Sequence, residues 1–98
     1  MIISLNKFGI VLTSRQAGRE ALAAFKPALK SVGLQEQVVL DFTGVNALSP
    51  SWADEFITPL SKTYGNRLRL APTTNSSVDA TMQILKIKLK VPDKPQSR

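Results

Sequence analysis

The stretch VVLDFTGVNALSPSWADEFITPL, residues 38–60, constrains this chain more than any other. Val38, Val39, Leu40 and Phe42 form a short, β-branched-rich apolar run, the pattern of a strand covered on both faces. Asp41 interrupts the run near its C-terminal end, where strands of α/β sheets hand over to functional loops. Gly44 and Asn46 suit a turning backbone. Ser49 and Ser51 are both candidate helix caps. Ser49 would place Pro50 at the first helical position, and Ser51 would place Asp54 as its capping-box partner. Trp52, Phe56 and Leu60 then recur at spacing four beside Ala53 and Ile57, one broad apolar stripe of a helix.

On the N-terminal side, Ile2 to Leu5 and Ile10 to Thr13 are two β-rich runs around Asn6-Lys7-Phe8-Gly9, which predicts a hairpin with Gly9 at its turn. Ser14 stands before a long helical pattern of Ala17, Ala21, Leu22, Ala24, Phe25, Ala28 and Leu29, with Val32 extending it and Gly33 as terminator. Pro27 falls inside that pattern and predicts a kink near Lys26. C-terminal to the central stretch, Tyr64-Gly65-Asn66 is a stop signal and Arg67 to Ala71 alternates as a half-buried strand. Ser76 or Ser77 is expected to cap a last helix whose Val78, Met82 and Leu85 share a face. That helix should end near Leu85, with a short edge strand in KIKLKV, where lysines discourage edge-to-edge pairing. The order β-β-α-β-α-β-α predicts an α/β sandwich, one small sheet of about four to five strands packed with three helices. The expected organisation is a single domain over residues 1–91 and a flexible basic tail over 92–98, which has nothing apolar to bury.

With 98 residues, 43% of them hydrophobic, the chain can bury one core but not two. It contains neither cysteine nor histidine. That excludes a disulfide framework and thiolate metal sites, and removes the commonest general base and metal ligand. A cytoplasmic location is therefore expected, and no apolar run approaches the roughly 20 residues of a membrane span. Of the net charge of +6, a net +4 lies in residues 86–98, where Lys86, Lys88, Lys90, Lys94 and Arg98 face one acid, Asp93. The folded body is nearly balanced, so nucleic acid is not the expected partner. The alternative is a small nucleotide- or nucleic-acid-binding domain that uses the basic end.

Enzyme chemistry finds little support. Lys62 stands eleven residues, or three helical turns, beyond Ser51 and cannot activate it. Asp54 and Glu55 are adjacent and point about 100° apart on a helix. The five glycines are scattered and form no phosphate loop. No catalytic residue, metal site or cofactor is expected. Asp41 reads best as the acceptor of loop amides, and Trp52 as core, with an interface anchor as the alternative. Arg15 and Arg19, one turn apart, would organise a polar surface if they faced Asp54 or Glu55.

FGIVLTSRQAG followed by VVLDFTGVNALSPSWADEFITPL resembles the STAS-like family of unknown function, whose members carry F-G-x-x-L-x-S-R-x-x-G and V-V-L-D-F-x-G-V…S-x-A-D-E. The resemblance spans roughly residues 8–85. The wider STAS relatives include anti-sigma-factor antagonists that switch partners with a serine kinase. Laid on their core pattern, Asp41 matches the strand aspartate, Thr43 the serine after it and Ser51 the phosphoacceptor, with Ser49 as a second candidate. Ser49, Pro50 and Trp52 depart from that pattern, standing where it has aspartate, serine and glycine. The resemblance implies a STAS-like fold and a bacterial or phage-borne, non-enzymatic regulatory module. Such a module would bind a protein partner, first of all a serine-kinase-like ATPase, as a monomer or weak homodimer. The expected docking surface is Thr43, Asn46, Ser49, Ser51, Trp52, Asp54 and Glu55.

Overall fold

A computed structural model describes residues 1–93. Among the described residues the α/β architecture contains the expected three helices, while its five strands fall in two sheets rather than the one expected. Strand β1 (Ile2–Ser4) leads through a 3-10 turn (Leu5–Phe8) to β2 (Val11–Leu12) and helix α1 (Arg15–Leu29). Strands β3 (Val38–Asp41) and β4 (Ala47–Leu48) precede helix α2 (Pro50–Tyr64). Strand β5 (Leu68–Leu70) and helix α3 (Ser76–Leu85) complete the order. The strands divide into a three-stranded sheet, β1-β3-β5, and a two-stranded one, β2-β4. Every pairing within them is parallel.

The expected hairpin does not form. β1 pairs with β3, Ile3 opposite Leu40, and β2 pairs with β4, Leu12 opposite Leu48. Between them the backbone tightens so that Gly9 N–H donates to Asn6 O at 3.1 Å, and Gly9 has φ +129°. The physical reason lies in burial. Parallel pairing puts Ile3, Leu5 and Leu12 at 0–2% exposure in the core, while Ile2, Ile10 and Val11 remain more than half exposed. The central strand is also corrected. Val38 and Leu40 are fully buried, but Val39 is only half-buried and its register partner Ile2 is 67% exposed. One face of the sheet is covered, whereas on the other Val39, Asp41 and Arg69 are half-buried and Ile2 and Ser4 are exposed.

Ser14 caps α1 by accepting from Ala17 N–H at 2.9 Å. The helix is continuous through Lys26 and ends at Leu29, before Gly33, so Pro27 falls in its last turn rather than at an internal break. The Pro27 carbonyl still accepts, and the helix closes two residues later in tight bonds from Lys30 N–H to Pro27 O at 3.3 Å and from Ser31 N–H to Ala28 O at 3.4 Å. α3 ends at Leu85 as expected, with Lys86 left-handed at φ +58°. The edge strand expected after it is reduced to one parallel bridge, Arg69 with Lys90, where Leu70 N–H donates to Lys90 O at 2.9 Å. Asp93, placed in the tail by sequence, is tied back to the sheet. It accepts from Arg69 Nη1 at 3.0 Å and from Gln37 Nε2 at 2.6 Å. The rest of the expected tail, residues 94–98, lies outside the described residues.

The core is built on α2. Trp52 stacks on Phe56 with centroids 4.9 Å apart, and Phe8 packs 5.2 Å from Phe56 and 6.0 Å from Trp52. Phe25 of α1 meets Phe8 edge-on at 6.0 Å. At 1% exposure, Trp52 belongs to the core, as the apolar stripe implies, and its place on the expected docking surface is corrected, since a side chain packed among Phe8 and Phe56 presents nothing to a partner. The two helices approach so closely that a Cβ on Gly18 would lie 2.5 Å from the Trp52 carbonyl oxygen. Only glycine fits there without moving backbone.

Candidate functional site

The loops leaving the C-terminal ends of β3 and β5 face each other, the place where open parallel α/β sheets form ligand crevices. They enclose a surface cavity of about 620 Å3, walled by residues 42–46 on one side and 72–75 on the other. Asp41 shapes the first wall. Its Oδ1 accepts from the Thr43 amide at 2.9 Å and from Thr43 Oγ1 at 2.7 Å, the side-chain-to-loop bonding expected of it. Gly44 follows with φ +85°, and an added Cβ would also stand 3.0 Å from Asn6 Nδ2. Asn75 joins the two walls. Its Nδ2 donates to Val45 O at 2.9 Å and to Asn46 O at 3.3 Å, while its Oδ1 accepts from Ser77 N–H at 2.9 Å. Asn75 is therefore the α3 cap, in place of the expected Ser76 or Ser77. Ser77 Oγ instead accepts from Leu48 N–H at 3.1 Å.

Among the described residues no charged side chain lines the cavity; Thr43, Asn46, Thr73, Thr74 and Asn75 are its polar groups. Thr43, Gly44 and Asn46 are exposed. Of the predicted site residues, the structure brings Thr43 and Asn46 together here. Thr73, Thr74 and Asn75 were missed. Their signal was the turn-rich PTTN directly after a strand, which is where such a fold places site loops.

The helix start is organised differently from the second of its two sequence alternatives. Ser49 is the α2 cap, with Pro50 at the first helical position; Ser49 Oγ accepts from Trp52 N–H at 3.4 Å and donates to Thr13 O at 2.8 Å. The tie to Thr13 decides between the overlapping signals, because it lets one hydroxyl satisfy two backbone groups. Ser51 is therefore inside the helix, half-buried, and Asp54 is no capping-box partner. Asp54 accepts from Thr58 Oγ1 at 2.9 Å and from Arg15 Nη1 at 3.1 Å. Glu55 accepts from Arg15 Nη1 at 2.7 Å and from Arg19 Nε at 3.4 Å. Hydrogen bonds from Arg15 hold both carboxyls below their usual range, and the same bonds raise the Arg15 guanidinium. The arginines of α1 thus face the acids of α2 across a shared polar surface.

Among the described residues, no group of three or more histidine, cysteine or acidic side chains converges as a metal site, and no helix is long and apolar enough to cross a membrane.

Hydrogen bonds from Thr43 also hold the Asp41 carboxyl below its usual range. A depressed folded pKa means that its stabilisation is present above the unfolded value, about 3.9, and is lost as pH falls through the folded value. Asp41→Ala is expected to lower stability by about 1–2 kcal/mol at neutral pH, since two hydrogen bonds go. Asp41→Asn keeps an acceptor and should recover part of the loss while removing the Asp41 contribution to the acid-side decline. Urea unfolding of the three proteins from pH 7 to pH 2 checks both, and an unchanged midpoint for Asp41→Ala would remove the loop bonds from the stability account.

A parallel-stranded core, a capped helix following the central strand and two facing loops define a compact α/β domain of the STAS-like class. The chain belongs to the family described as STAS-like domain of unknown function (DUF4325), whose model matches residues 17–78. No curated protein and no solved structure matches the chain at a significant level. The two sequence blocks that carry the resemblance meet in space. Ser14, Arg15 and Gly18 from the first engage α1 or its partner helix, and Trp52, Asp54 and Glu55 from the second receive Gly18, Arg15 and Arg19. Those residues close the α1–α2 contact.

Proposed function

We propose that the domain is a non-enzymatic protein-binding module, a partner-switching regulator of the anti-sigma-factor-antagonist type. It docks a partner through the 43–46 loop and the start of α2. The observation that carries this reading is the rigid yet exposed loop: Thr43 and Asn46 face solvent while Asp41 and Asn75 fix the backbone beneath them. A surface organised before binding loses little entropy on association. The uncharged cavity beside it offers hydroxyl and amide groups that suit a protein surface.

Ser51 is the switch position in this reading. A phosphate near a helix start is favoured by free amides and the helix dipole. The acids that would repel it, Asp54 and Glu55, are paired with Arg15 and Arg19. A serine-kinase-like ATPase is the first partner to test, and its approach needs Ser51 to become accessible from its half-buried position.

The test is affinity capture from the native cell with wild-type and Asn46→Arg domains as parallel baits. The exposed substitution should leave the fold within about 0.5 kcal/mol. A partner retained by wild type and depleted about tenfold or more on Asn46→Arg is the expected result, since the added charge meets a buried interface. Identical captured sets would remove the loop from the docking surface. Ser51→Asp, which mimics part of a phosphate's charge, should weaken the same partner without unfolding the domain.

A further inference from the structure

Helix α3 and residues 86–89 border a second groove, of about 700 Å3. Its floor is apolar, made by Leu70, Met82, Ile87 and Leu89. Burial alternates along its outer wall and into the residue after it: Ile87 and Leu89 are half-buried, whereas Lys86, Lys88 and, just past the groove, Lys90 are exposed. From Ile87 to Lys90 such alternation is that of an extended segment, which places Lys88 and Lys90 about 6–7 Å apart, with Lys86 before them at the left-handed end of α3. None of the three lysines pairs with an acid among the described residues. The segment is fastened at its two ends. Ile87 N–H donates to Met82 O at 3.0 Å, and Lys90 O accepts from Leu70 N–H at 2.9 Å. Between those ties, the amides of Lys88 and Leu89 donate to no group among the described residues. Unpaired backbone on an extended edge is a template for an added strand.

We infer that this groove docks an acidic, extended peptide segment of a partner protein, its carboxylates on the lysine row and its alternate apolar side chains on the floor. Charge selects the occupant. A second copy would bring its own lysine row against the first, so self-pairing is repelled. Nucleic acid would find the spaces between lysines filled by aliphatic side chains, with no aromatic stacking platform. Among the described residues the one acid at the groove is Asp79, which sits on α3 and directs the carboxylates to the opposite wall. This surface is separate from the 43–55 surface, and either can fail without the other.

The test uses a fluorescein-labelled peptide of alternating glutamate and valine, about eight residues long, titrated by fluorescence anisotropy. Saturable binding to wild type is expected. The exposed double variant Lys88→Glu/Lys90→Glu should weaken it by about tenfold or more and should instead bind a lysine-valine peptide. A glutamate-serine peptide should bind wild type about tenfold more weakly than glutamate-valine, because the floor is left unfilled. The proposal is overturned by absence of saturable binding to wild type, by equal binding to the charge-reversed variant, or by equal binding of the serine peptide. It is also overturned if a single-stranded oligonucleotide displaces the peptide and binds more tightly with a steep salt dependence, which would assign the row to nucleic acid.

Discussion

Trp52→Ala is expected to cost about 3–5 kcal/mol, the range for removing a large buried aromatic side chain. Trp52 is 1% exposed and packs against Phe56 and Phe8, which also meet each other at 5.2 Å, so the lost area belongs to a three-ring cluster. A small domain has only about 5–15 kcal/mol of stability in all. At roughly 4–8 °C per kcal/mol, the thermal midpoint should fall by more than about 12 °C. Trp52→Phe, which keeps a ring in the stack, should lose less than half as much. Because Trp52 is the only tryptophan, its emission reports burial directly in the wild-type protein. A blue-shifted maximum that moves red at the unfolding midpoint is expected. Emission typical of solvent in the folded protein, with a small midpoint change for Trp52→Ala, would take the residue out of the core and return it to the surface as an interface anchor.

Gly18→Ala tests the α1–α2 contact, and two effects of opposite sign meet there. Alanine is the better helix former by about 1 kcal/mol. Against that, its Cβ would lie 2.5 Å from the Trp52 carbonyl oxygen and 3.1 Å from Trp52 Cα. Backbone atoms cannot rotate away, so the helices must separate, loosening the aromatic stack and the Arg15 bonds to Asp54 and Glu55. Overpacking of this kind costs about 1–3 kcal/mol even where side chains can adjust. A net loss of about 2 kcal/mol is therefore expected, and Gly18→Val, with more bulk and a β-branch, should fold poorly. Urea unfolding decides the sign. A raised midpoint for Gly18→Ala would mean that helix propensity wins and that the close approach is not maintained in solution.

Much of this arrangement is legible in local sequence because it depends on local chemistry. Val38 to Asp41, the Ser14 cap, the α2 stripe and the stop at Leu85 all follow from periodicity and capping. What is not legible depends on partners far along the chain. Ile2 to Leu5 and Ile10 to Thr13 look like a hairpin because they are neighbours, yet their pairing partners lie at Val39 to Asp41 and Ala47 to Leu48. Strand β4 is only two residues long and hidden in what reads as loop. Ser49 and Ser51 carry overlapping cap signals, and a hydrogen bond to Thr13 O, 36 positions away, settles them. Gly18 reads as a weak point in an alanine-rich helix; only the position of Trp52 shows why a side chain is absent.

The candidate site divides along the same line. Asp41 and Thr43 form a contact two residues apart, so the aspartate's loop role could be argued from sequence. The second cavity wall, Thr73 to Asn75, requires knowing that β5 lies beside β3. Asp54 and Glu55 are drawn towards Arg15 and Arg19, which leaves the 43–46 loop and Ser51 as the parts of the expected surface that carry no ion pair among the described residues.

The measurement that bears most directly on the division between scaffold and docking surface is calorimetric titration of the captured partner against three proteins: wild type, Arg15→Gln and Asn46→Arg. Arg15→Gln breaks the bonds to Asp54 and Glu55, so its thermal midpoint should fall while partner affinity stays within about twofold, because the 43–46 loop and Ser51 at the start of α2 are untouched. Asn46→Arg should show the reverse, with an unchanged midpoint and affinity reduced about tenfold or more. Equal affinity of wild type and Asn46→Arg, together with loss of binding in folded Arg15→Gln, would contradict this division and place the docking surface on the charged α1–α2 face.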